Sequence, residues 1–184
     1  MIIQYLFVFA CFLIDGVIET CFPINFAMNS VYFVSCFGVC ALILTIRKMD
    51  FIDALLLSIL SGMFYDFFFT NSFLVYAVIF VILCFIVKAW QKHVGESLLE
   101  SIILAICSLF TMQLLTYGLM WFTGSTRVSF SSWIYYRMFL TLVVNVGFVI
   151  VLYFLTNVRD DYLRMRDVKI RKEEKLSTRR LSGR

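Results

Sequence analysis

Apolar runs close to 20 residues long recur along the first 156 residues, parted by only a few charges or turn residues. A bilayer core needs runs of ~20 apolar residues for each helical crossing. In lipid every backbone polar group must find a partner within the protein, so only helices and closed barrels span. Barrel strands alternate over ~10 residues, whereas these runs are continuous. The expected fold is therefore all-α: a polytopic membrane protein with six transmembrane helices at about 2–20, 31–46, 51–68, 71–90, 98–122 and 133–156, followed by a basic tail over 157–184. Composition agrees: 62% of the 184 residues are hydrophobic and only 15% charged, against roughly 45–50% and about 25% in soluble domains. A soluble fold of this size cannot hide that much apolar surface, which excludes soluble enzymes, disordered tails and secreted disulfide scaffolds.

Breaks between the runs carry turn chemistry. Pro23, the single proline, opens a stretch over 23–30 that interrupts the first two spans. Asn71 and Ser72 part the third from the fourth, and Gly124, Ser125 and Thr126 precede the sixth. Arg47, Lys48 and Asp50 alone separate the second and third. The first span lacks a basic leader and carries Asp15 and Glu19 where a cleavage site would lie, so it reads as retained.

Charge sets the expected orientation. Residues 1–156 hold six basic and seven acidic side chains, a net of −1; residues 157–184 hold ten and five, a net of +5, and together these give the +4 of the chain. Basic residues stay on the cytoplasmic side. With the N-terminus inside, Arg47, Lys48, Lys88, Lys92 and the ten of the tail are cytoplasmic, 14 in all, against Arg127 and Arg137 outside. Both termini are thus expected in the cytoplasm. Asp160/Arg164 and Asp167/Arg171, each an acid followed by a base four residues on, favour a helix continuing out of span six. The tail is a flank attracted to anionic lipid or a contact for a cytoplasmic partner; membrane lipids are an expected partner, and nucleic acid is not.

Soluble-type catalytic apparatus is not visible. There is one histidine, His93, in an expected cytoplasmic loop, and no nucleophile elbow, phosphate loop or zinc-protease pattern. Cys36 and Cys40 are one turn apart without His or acidic company at ligand spacing, and read as small packing residues. No enzyme activity, cofactor or metal is expected.

What stands out is polarity in the wrong solvent, which costs about 2.5–3.5 kcal/mol per charge at a helix centre. Asp15, Glu19, Asp66 and Arg137 share one membrane depth. Either their heads reach water, or Arg137 pairs with Asp66 or Asp15. Arg137, Thr141 and Asn145, at i, i+4, i+8, lie on one helix face. Asn145 should face protein, with Gln113 as candidate partner, or meet another membrane subunit. Gly62 allows close backbone approach one turn before Asp66. Gly62, Asp66, Arg137, Thr141, Asn145, Asp15 and Gln113 are the candidate structural or partner-binding residues.

The stretch SGMFYDFFFTNSFLVYAVIFVILCFIV over 61–87 resembles the central signature of the rod shape-determining protein MreD family: a Gly, a few apolar residues, an Asp, a short polar turn and a long apolar helix. Pro23 after span one and the Arg137, Thr141, Asn145 pattern also look like the family. The turn after Asp66 lacks the family's frequent Pro-x-Gly, span six lacks the Pro that often follows the Asn, and the tail is long and basic for it. The resemblance implies a non-enzymatic subunit of the bacterial cell-elongation machinery. Its implied partners are the single-span protein MreC, a RodA-type glycosyltransferase with a class B penicillin-binding protein, and the MreB filament. It also implies a fold similar to the membrane substrate-binding subunits of energy-coupling-factor vitamin transporters. Such a subunit is the alternative reading, although span one is bulky where those proteins carry small residues.

Overall fold

A computed structural model describes residues 2–21, 33–70, 74–91, 95, 97–126 and 128–182. The stretch over 23–30 with Pro23, the turn at Asn71 and Ser72, and Lys92, His93 and Arg127 lie outside these residues. All regular structure among the described residues is helical. Helices α1 (Ile2–Cys21), α2 (Phe37–Lys48), α3 (Phe51–Tyr65), α4 (Val75–Gln91) and α5 (Leu98–Phe122) are followed by a single turn, α6 (Phe130–Trp133), and by α7 (Phe139–Ser182). α3 runs on through a wider π turn, Asp66–Thr70, and a second π turn, Ile134–Met138, joins α6 to α7.

Four of these helices, Ile2–Cys21, Phe51–Thr70, Leu98–Phe122 and Phe130–Arg166, are long and apolar enough to cross a membrane. Two of the expected spans are shorter. α4 has 17 residues. The helix expected over 31–46 begins only at Phe37 and has 12 residues, about 18 Å at 1.5 Å per residue. The helix by itself is shorter than a ~30 Å core, and residues 33–36 before it carry no regular structure and lengthen its path.

α2 is short because it is the axis of the bundle. It packs on α1, α3, α4, α5 and α7, and every residue from Phe37 to Arg47 is buried. A helix apolar on all sides is one surrounded by protein. Its own Leu42, Ile43 and Ile46, and Phe12, Leu57, Phe80, Leu83, Leu104 and Leu109 from other helices, are fully buried. Phe12 lies 6.0 Å from Tyr65 and 6.2 Å from Phe80, ring centre to ring centre. The outward faces are equally apolar: Leu6, Leu13, Val17, Phe67, Phe85, Ile103 and Val143 are exposed. With lipid on one side and α2 on the other, both faces of each surrounding helix can be hydrophobic.

The basic residues gather at one end. Arg47 donates to Ser101 Oγ at 2.8 Å, and Lys48 reaches Asn157 at 3.1 Å and Asp160 at 2.7 Å. Arg159 donates to Thr45 Oγ1 at 2.9 Å, pairs with Asp160 at 2.8 Å, and lies over the Phe7 ring at 4.8 Å. Asp160, expected to pair with Arg164, is thus held by Lys48 and Arg159. The competing bases arrive from α2 and from the preceding residue, which an i, i+4 spacing does not reveal. α7 continues as one helix to Ser182.

Candidate functional site

The singled-out polar residues converge at the opposite end, around the irregular segment 33–36 and the start of α2. Asp15, near the end of α1, accepts hydrogen bonds from the Phe37 N–H at 3.0 Å and the Gly38 N–H at 2.8 Å, and from the Ser35 hydroxyl. Phe37 and Gly38 are the first residues of α2. Its first N–H groups have no partner within the helix, and a carboxylate there meets both these donors and the positive end of the helix dipole.

From the other side comes α7. Val34 N–H donates to Thr141 Oγ1 at 3.1 Å, and Asn145 Nδ2 donates to the Val34 carbonyl at 3.1 Å. Asn145 Oδ1 accepts from the Cys36 N–H at 3.1 Å. One amide side chain therefore serves both polarities of the irregular backbone. The Thr141 hydroxyl donates a hydrogen bond to the Arg137 carbonyl at 2.7 Å, which leaves its oxygen lone pairs for the Val34 N–H. Asn145 is fully buried and Asp15 is 2% exposed. Non-helical backbone at membrane depth persists only where protein supplies its hydrogen bonds; Asp15, Thr141 and Asn145 supply them here.

Gln113 is placed differently from the sequence expectation. It does not bond Asn145. Its Nε2 lies 3.6 Å from Cys36 Sγ, and its Oε1 accepts from Arg137 Nη2 at 3.3 Å. Arg137 forms no ion pair with Asp66 or Asp15 among the described residues. Both carboxylates are turned toward helix N-termini, and the guanidinium binds an amide instead, with its Nε buried and without a hydrogen-bond partner among the described residues.

Asp66 repeats the work of Asp15. It opens the π turn after α3 and accepts from the Tyr76 and Ala77 N–H groups, both at 3.1 Å, in the first turn of α4. Each pair, α1 with α2 and α3 with α4, is closed by an aspartate at the end of one helix capping the start of the next. Each also has a tight approach below the cap. A Cβ on Gly62 would lie 2.3 Å from Ala77 Cα, and one on Gly38 would lie 2.4 Å from the Phe12 ring. The two π turns hold Asp66 and Arg137. Such turns often mark functional positions, because the extra residue rotates a side chain off the regular helical face.

Among the described residues, no group of three His, Cys, Asp or Glu side chains could hold a metal ion. The chemistry of the site is structural. Carboxylate, amide and hydroxyl groups lock a short irregular segment and two helix starts. Sequence reasoning missed Ser35, Cys36, Thr45 and Arg159. For the first two a signal was present: Ser35, Cys36, Gly38 and Cys40 make the start of the expected second span small and weakly polar, unlike the bulky spans around it.

The family model for the rod shape-determining protein MreD matches residues 1–159. No curated protein and no solved structure matches the chain.

Proposed function

Because the chain belongs to the MreD family of rod shape-determining proteins, we propose that it is a non-enzymatic, multi-pass subunit of the bacterial cell-elongation complex. In this reading it docks an MreC-like single-span protein. Through that partner it helps couple MreB-type filaments to a RodA-type glycosyltransferase and its class B penicillin-binding protein. The matched residues take in the whole bundle, from α1 to Arg159. The family is not a known enzyme family, and the transporter-subunit alternative gains no support from the match.

The observation that carries this reading is the preorganised lock at the acidic end. Asp15, Asp66, Thr141 and Asn145 each hold backbone of the same chain through hydrogen bonds. That produces a rigid surface for a partner rather than a site that opens for a substrate. The charge distribution supports placing the basic end in the cytoplasm and this lock at the outer face of the plasma membrane.

Affinity purification of the full chain from native membranes, followed by mass spectrometry, tests the proposal. Recovery of an MreC-like protein with peptidoglycan-synthesis enzymes is expected. Recovery of transporter ATPases in their place, or of none of these proteins, would overturn it.

A further inference from the structure

The apolar face of α7 continues past the bundle. Val151, Leu155, Val158, Tyr162 and Met165 are all exposed, and they follow one another at steps of 4, 3, 4 and 3 residues. At ~100° per residue the five fall within roughly 40° of a common line along the helix. This is the alternation of a coiled-coil seam, in which Leu155 and Tyr162 take one core position and Val151, Val158 and Met165 the other. Lysines at 169 and 172 take the next two positions and end the apolar run.

Lipid accounts for the exposure of Val151 and Leu155. It does not account for Tyr162 and Met165, which are 59% and 68% exposed and lie beyond the Arg159 and Asp160 contacts that tie α7 to α2. α7 remains one helix through these positions to Ser182, so its tail projects along the axis of the span instead of turning onto the membrane surface.

Two copies of a chain inserted in one membrane share one orientation, so their α7 helices meet in parallel. In that register the residue before one core position faces the residue after the next core position of the other helix. Here these are Asp161, before Tyr162, and Arg166, after Met165: opposite charges across the seam. We propose that α7 is a self-association helix, pairing two copies of this chain in parallel along Val151, Leu155, Val158, Tyr162 and Met165, with Asp161 of each copy facing Arg166 of the other. The family match ends at residue 159, before Tyr162 and Met165, so the inference stands apart from the shape-determination reading.

Cysteine cross-linking of the full chain in its own membrane tests it, in a Cys21→Ser background that removes the exposed native thiol. Met165→Cys, on the seam, should give several-fold more disulfide-linked dimer under mild oxidation than Arg164→Cys, which is exposed on the other side of the helix. Adding Met165→Glu to Val158→Cys should abolish the dimer formed through residue 158; because Met165 touches no core, this change leaves the bundle intact. Monomer alone from Met165→Cys, equal dimer from Arg164→Cys, or persistence of the Val158→Cys dimer beside Met165→Glu would each overturn the proposal.

Discussion

Asn145 is the residue on which the irregular segment most depends, because its one amide meets both an N–H and a carbonyl of that segment. Asn145→Leu keeps the volume and removes both partners. Each buried group left unpaired costs about 1–3 kcal/mol, so the purified variant should unfold at a clearly lower temperature in a detergent melt; an unchanged midpoint would refute the bracing role. Gly62 acts through contact distance. Gly62→Ala puts a methyl group 2.3 Å from Ala77 Cα, where neither helix backbone can yield without a shift, an overpacking cost of roughly 1–3 kcal/mol. Gly118→Ala, with nothing within 4 Å of the added atom, is the matched control. The first should reduce accumulation in the membrane and the second should not, as read by immunoblot. The sequence pointed to Gly62, Asp66, Thr141 and Asn145 because polar or missing side chains are conspicuous inside apolar runs. It did not supply their partners. Val34 is 111 residues from Asn145, and helical periodicity places a residue on a face without saying what stands opposite.

Among the elements, α2 departs most from its sequence pattern. Hydropathy over 31–46 is continuous because Val34, Ser35 and Cys36 are as buried as the helix that follows. Hydropathy reports burial, and burial does not distinguish helix from irregular chain once side chains from α1 and α7 satisfy the backbone. The aspartate caps make the same point at α4, whose start is set by Asp66 reaching across from α3. The continuation of α7 was legible, since its acid–base spacing favours helix. The burial of Arg159 was not: it follows the apolar run like a solvated flanking charge, yet is only 7% exposed. Arg159→Ala removes the bond to Thr45 and the contact with Phe7. A charged hydrogen bond of this kind contributes about 1.5–3 kcal/mol, so the variant should melt early. Arg164→Ala, on an exposed residue, should stay within about 0.5 kcal/mol of the parent. Equal melting of the two variants would show that Arg159 does not anchor α7.

For the whole molecule, one native thiol can report orientation in the membrane. Cys21 is exposed at the acidic end of the bundle, whereas Cys11, Cys36, Cys40 and Cys84 are buried. With that end outside, a membrane-impermeant maleimide should label Cys21 in intact spheroplasts, and Met165→Cys should label only after permeabilisation; the reverse pattern would invert the topology. Residue order alone determined the solvent, the helical class and the segregation of charge to one end. These follow from one-dimensional quantities, the length of apolar runs and the position of lysines and arginines, which lipid and membrane insertion act on directly. Only the tertiary structure decided that one expected span is a short buried axis, that two aspartates cap neighbouring helices instead of pairing with Arg137, and that Gln113 serves Cys36 and Arg137. Those outcomes depend on the axial offset between helices, which a change of one turn alters by about 5.4 Å while leaving every sequence pattern unchanged.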